Sequence, residues 1–168
     1  MGCWCMYWRL PNKAFQAQRG AGAKRLMKAR VKAGPPPGLL ALKGEEAIGW
    51  MQIGPLPDMP QWSSPRRVSA ALKPEEAQDN TIWAATCFFV KAGHRRQGVT
   101  DALLKAGVDY AREHGARLLE ACPVEPEGRM DTASLYVGHA AVFERAKFKE
   151  VARRKQNRPL MRLKLKPR

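Results

Sequence analysis

Apolar and polar positions change rhythm along the 168-residue chain, and each rhythm predicts an element. Thr81 to Val90 (TIWAATCFFV) is β-branched and aromatic with polar flanks, the signature of a strand. Leu103, Leu104, Val108 and Ala111 then repeat at helical spacing within Asp101 to His114, and Gly115 stands where a helix would stop. Ala116 to Cys122 predicts a further strand, ended by Pro123. Its alternation places Leu118, Glu120 and Cys122 on one face and Leu119 and Ala121 on the other. Upstream, Cys5 to Leu10 reads as a short first strand stopped by Pro11. Lys13 to Gln18 and Ala23 to Ala33 read as two helical pieces separated by Gly20 and Gly22. Gly38 to Lys43 and Ala47 to Ile53 flank Gly44-Glu45-Glu46 and predict a hairpin. Gly54 to Asn80, rich in Pro, Ser and charge, predicts a long loop with one helical turn at Pro74 to Ala77. After an irregular stretch from Val124 to Val137, a short helix from His139 to Ala146 should turn Val142, Phe143 and Ala146 inward. Two strands close the chain, Phe148 to Arg153 and Arg158 to Lys164. In the last, Met161, Leu163 and Leu165 should form a buried face, and Arg162, Lys164 and Lys166 a basic one.

Composition adds bounds to this pattern. The length suits one domain over residues 1–168, and the apolar fraction of 45% argues against wholesale disorder. No apolar run approaches the roughly 20 residues of a membrane helix, and the start lacks a secretory h-region, so the expected location is the cytoplasm. The four cysteines, Cys3, Cys5, Cys87 and Cys122, match no common zinc spacing, and neither a metal nor a structural disulfide is expected. Net charge is +15, with no acidic residue before Glu45 and none after Glu150. Two basic ends around a mixed middle attract anions of any kind, from phosphate-bearing ligands to nucleic acid.

The candidate chemistry lies between the central strand and the long helix, at Lys91-Ala92-Gly93-His94-Arg95-Arg96-Gln97-Gly98-Val99-Thr100. A strand that feeds a glycine-containing basic loop opening onto a helix N-terminus gathers unpaired backbone N–H groups and the positive end of the helix dipole. Gly98 lets the backbone approach an anion closely, and Arg95 and Arg96 add bidentate donors suited to phosphate.

Arg95-x-x-Gly98-x-Thr100 resembles the R/Q-x-x-G-x-G/A signature of the GNAT superfamily of acyl-CoA N-acyltransferases, with Thr100 in place of the usual small final residue. Phe88-Phe89-Val90-Lys91 and Ala102-Leu103-Leu104 sit where that family has its fourth strand and long helix. Phe143-Glu144-Arg145-Ala146-Lys147-Phe148 resembles its Tyr-x-x-x-Gly-Phe helix end. Cys3-Trp4-Cys5-Met6-Tyr7-Trp8-Arg9 looks like the start of a bacterial GNAT subgroup of unassigned substrate. The element order also matches, so the resemblance implies an α/β (α+β) fold with a mixed central sheet and flanking helices.

The resemblance further implies acetyl transfer from acetyl-CoA to an amine, small molecule or protein, by direct attack without an acyl-enzyme. It implies that Phe88, Phe89 and Val90 hold the pantetheine arm and that Arg95, Arg96, Gln97, Gly98, Val99 and Thr100 hold the pyrophosphate. It places Phe143 at the cofactor as well. Family members often carry a carboxylate on the strands bordering the acceptor, which nominates Glu120 as general base. The tyrosine that many relatives use as general acid aligns with Phe143, which cannot donate; Tyr136 and His139 lie just upstream and are the substitutes. Two other readings stay open, a basic nucleic-acid-binding protein and a GNAT domain that binds coenzyme A without turnover. The helix-turn-helix, zinc-finger and RNA-recognition signatures of the first are missing. A homodimer is compatible with everything in the chain.

Overall fold

The computed structural model describes residues 2–126 and 134–166. Among these residues one mixed sheet of six strands runs in the order β1-β2-β3-β4-β6-β5. The strands are β1 (Gly38–Lys43), β2 (Glu46–Pro55), β3 (Ile82–Val90), β4 (Leu118–Ala121), β5 (Lys149–Lys155) and β6 (Arg158–Lys164). The helices are α1 (Asn12–Gln18), α2 (Ala21–Ala33), α3 (Val99–Glu113) and α4 (Ala140–Arg145). Every strand pair is antiparallel except β3 with β4, and the chain covers the parallel step with α3, the crossover that parallel pairing demands. The hairpin, the central strand, the long helix and the closing strands all fall within a few residues of their sequence expectations.

Both faces of the sheet are buried in the middle, as the alternation of the 118–122 segment foretells. Leu119 and Ala121 join Met51, Ile53, Phe88, Leu103, Leu104 and Phe143 in a core beneath α3 and α4. Leu118 and Cys122 face the other way, among Leu56, Met59, Trp62, Ile82 and Leu160. The long segment after β2 is thus a packed cover over the second face, with 3-10 turns at Leu56–Asp58 and Pro74–Gln78. Gly107 brings α3 close to β2: a Cβ there would stand 2.1 Å from Met51 Cε.

Two expectations are corrected. Cys5 to Leu10 forms turns, not a strand: Met6 N donates to Cys3 O, and Arg9 N and Leu10 N both donate to Met6 O. The physical reason is what its side chains bury. Arg9 is only 7% exposed, and its guanidinium donates to Pro37 O and Ile53 O and pairs with Asp58, which also binds Arg30. Tyr7 meets Phe15 edge-on, and Trp8 meets Trp62 in the same way. A pleated strand sends alternate side chains to opposite faces and could not seat Tyr7, Trp8 and Arg9 together. The second correction concerns β6, whose basic face is not uniformly solvated. Arg162 turns into the protein and pairs with Glu76 and Glu120.

Candidate active site

The sheet opens where β3 outruns β4. β3 pairs with β4 only at Ile82, Ala84 and the Trp83 between them, opposite Leu118 to Glu120. From Ala85 to Val90 no strand pairs with that edge among the described residues, while β2 continues alongside on the other. The register shift between Gln52 and Ile53 leaves Thr86 as an extra residue in β3. This bulge sets Ala85 and Phe88 on the same face, which strict alternation would forbid, and Phe88 joins the core beneath α3 and α4. Bulges of this kind re-aim a strand beside a site.

The opening is a cleft of about 410 Å³, within the range of small-molecule sites. One wall is Phe88, Phe89 and Val90; the floor of the basic end is Arg95, Arg96, Gly98, Val99 and Thr100. Tyr136 and His139 face them from the segment leading into α4. The basic end is shaped by backbone geometry as much as by charge. Gly98 precedes α3 with φ 76° and ψ 6°, the left-handed conformation that glycine adopts without strain, and no side chain among the described residues caps the helix. The first-turn N–H groups of α3 therefore face the cleft end without an internal partner. Arg96 also has positive φ, 60°, and the Arg95 Nε–H donates to Val90 O at 3.2 Å, folding the loop back on the end of β3.

Three residues nominated from sequence lie elsewhere. Gln97 points back, its Nε2 donating to Gly93 O, and does not line the cleft. Phe143 is fully buried, packed edge-on against Phe88 and Phe148, and stands behind the cleft wall without lining it. Glu120 has no exposed surface. Its Oε1 accepts from Trp62 Nε1 at 2.8 Å and its Oε2 from Arg162 Nε at 3.0 Å. Burial pushes its pKa up, partly offset by the Trp62 hydrogen bond and the Arg162 charge. Arg162 in turn is held charged by Glu76 and Glu120 against the opposing pull of burial.

Sequence reading missed His94, Asp101, Leu135, Gly138 and Val142, which complete the lining. Asp101 was discoverable as the first acid after the loop; it is bound by Arg145 at 2.7 Å, which ties α4 to the start of α3. Gly138 has no sequence signal. A Cβ there would meet the Phe143 ring at 2.9 Å, so the glycine lets the chain pass close over α4's aromatic.

An open parallel step, a bulged strand and an uncapped helix behind a basic loop form one anion-accepting cleft. Residues 4–138 match the model of the Acetyltransferase (GNAT) family. The chain belongs to this family. Acetyltransferases of known structure share its fold: an N-acetyltransferase from Staphylococcus aureus Mu50 at 15% identity and TM-score 0.55, covering 86% of this chain and 76% of that one. A ribosomal-protein-alanine N-acetyltransferase from Brucella melitensis is 18% identical with TM-score 0.54, covering 84% and 76%. The yncA structure from Salmonella typhimurium, solved with its cofactor acetyl-CoA, is also 18% identical with TM-score 0.54, covering 84% and 71%. No curated protein matches the chain in sequence. No helix among the described residues is long and apolar enough to cross a membrane.

Proposed function

We propose that this GNAT domain binds acetyl-CoA in the cleft between β3 and the segment entering α4, and transfers the acetyl group directly to an amine. The observation that carries the reading is the edge of β3 from Ala85 to Val90, unpaired among the described residues and running into the Gly98 loop at the N-terminus of α3. The residues present fit the donor's chemistry. A pyrophosphate asks for backbone N–H groups, a close glycine and fixed positive charge, which Gly98, Val99, Thr100, Arg95 and Arg96 supply. An amide-bearing arm asks for free backbone donors and acceptors, which the open edge of β3 supplies.

Bound acetyl-CoA would supply a thioester carbonyl open to attack. The chain's own task is to orient it, to stabilise negative charge on the carbonyl oxygen from a β3 amide near Phe88 to Val90, and to return a proton to the departing sulfur. For that proton the cleft offers Tyr136, whose phenol can donate, with His139 beside it. We assign the donor role to Tyr136, the more enclosed of the two. The reading gives Glu120 no proton to accept. Its carboxyl has no exposed surface and already accepts from Trp62 and Arg162, and an amine entering from solvent can give its proton to water. Glu120 instead fixes Trp62 and Arg162, and through them the cover on the second face of the sheet.

The acceptor is an amine. That the Brucella relative is a ribosomal-protein-alanine N-acetyltransferase makes protein N-termini worth including beside small amines in a panel. Coenzyme A release from acetyl-CoA should appear with at least one amine and be absent without protein. Tyr136→Phe should lower kcat on the order of a hundredfold with acetyl-CoA affinity kept, the scale of losing a positioned acid. Unchanged kcat would return the role to His139 or to water.

A further inference from the structure

The fold brings together two thiols that lie 82 residues apart in sequence and that acetyl transfer does not use. Cys5 Sγ and Cys87 Sγ are 3.9 Å apart, one on the N-terminal turns and the other in β3 at the bulge. Both are half-buried, open enough for a small oxidant. The surroundings favour charge on Cys5. Trp50 Nε1 donates to its sulfur at 3.2 Å, and the hydrogen-bonded contact with Cys87 and the nearby Arg9 guanidinium both lower its pKa. Cys87 has the opposite setting: its neighbour's sulfur and burial both hold it as a thiol. Gln52 Nε2 fixes the Cys5 carbonyl at 2.8 Å and holds the turn in place over β2.

We propose that Cys5 and Cys87 are a redox-modification site, in which hydrogen peroxide oxidises Cys5 and Cys87 resolves it to a disulfide. The Cys5 thiolate attacks one peroxide oxygen; the S–O bond forms and the O–O bond breaks. The departing hydroxide takes up the proton that Cys5 released and leaves as water. The Cys87 sulfur then attacks the Cys5 sulfenic sulfur; the S–S bond forms, the S–O bond breaks, and hydroxide leaves with the Cys87 proton as the second water. Two electrons pass from the two sulfurs to the peroxide, and a dithiol reductant returns them. The sulfurs must close from 3.9 Å to the about 2.05 Å of a disulfide. The N-terminal turn moves to meet Cys87, because Cys87 is itself paired with Gln52 of β2. The product staples residues 3–10 to β3 immediately before Phe88, at the wall of the cleft.

Reduced protein treated with one equivalent of hydrogen peroxide, then digested with trypsin without reduction, tests this. The four free thiols should fall to two. The fragment from Met1 to Arg9 should be found joined to the fragment from Val68 to Lys91, and dithiothreitol should separate them. Cys3→Ser should form the same link, because Cys3 is not a partner. On that Cys3→Ser background, Cys87→Ser should leave a Cys5 sulfenic acid that dimedone captures, and Cys5→Ser should leave none at Cys87. A link from Cys3 to Cys5, a link between two chains, or no loss of thiols in the wild type would overturn the proposal. So would dimedone capture at Cys87 in place of Cys5. The wild-type and Cys3→Ser digests decide the pairing even if a Cys87 variant does not fold.

Discussion

Glu120 shows how a residue's surroundings decide its work. Read along the chain it is a carboxylate on a strand next to the expected acceptor site; in the fold it is the buried centre of a group with Trp62, Arg162 and Glu76. Glu120→Gln keeps the shape but places an amide where two donors converge, so one of them loses its acceptor. It should cost about 1–3 kcal/mol in urea unfolding and leave kcat in the remaining folded protein near wild type. A large loss of kcat with unchanged stability would restore the base role. A pH signature belongs to Asp79, which accepts from the Thr81 hydroxyl and amide and pairs with Arg117, holding its pKa at about 2. The folded value lies below the unfolded one. The stability it adds is therefore present above about pH 4 and lost as pH falls toward 2. Asp79→Ala should lower the melting temperature at pH 7, and the difference from wild type should shrink steadily as pH falls from about 4 through about 2. Melting curves across pH would show it; a difference that persists at the lowest pH would contradict it.

At the scale of elements, what was legible in the sequence was periodic. The long helix, the hairpin, the central strand and the closing pair all announce themselves through spacing, because one or both faces must be apolar where they pack. The 5–10 segment did not, since strand-like composition is shared by any compact turn that buries aromatics. Its conformation is fixed by Arg9 and Trp8 finding partners 50 or so residues away, which no local pattern encodes. The cleft was half legible. The loop from Arg95 to Thr100 carries a motif, whereas Gly138 and the bulge at Thr86 exist only through register and close approach. Glu120 and Phe143 were nominated by family resemblance, and a resemblance does not say whether a long loop or a packed helix buries the position in this chain. Gly107 is a second contact without a motif. Gly107→Val should push α3 off Met51 and cost about 1–3 kcal/mol by overpacking. Chemical denaturation would measure it, and a neutral result would mean that the Met51 side chain swings clear.

Across the whole molecule, the net charge of +15 is carried by a chain in which several arginines also have structural work. Arg9, Arg30, Arg153 and Arg162 are engaged with carboxylates, and Arg154 and Arg158 with backbone carbonyls of Ala70 and Cys122. Most of these arginines tie together segments far apart in sequence. The anion-seeking part that faces the cleft is local, at Arg95 and Arg96 beside the Gly98 turn. That the cleft holds acetyl-CoA through this turn is tested most directly by calorimetric titration of acetyl-CoA into wild type and Gly98→Glu at low salt. Glutamate at φ 76° strains the turn and sets a negative charge toward the phosphates. Wild type should bind with an affinity that weakens as salt is added, and Gly98→Glu should show no binding. A wild type that does not bind, or a Gly98→Glu variant that binds equally well, would contradict the account.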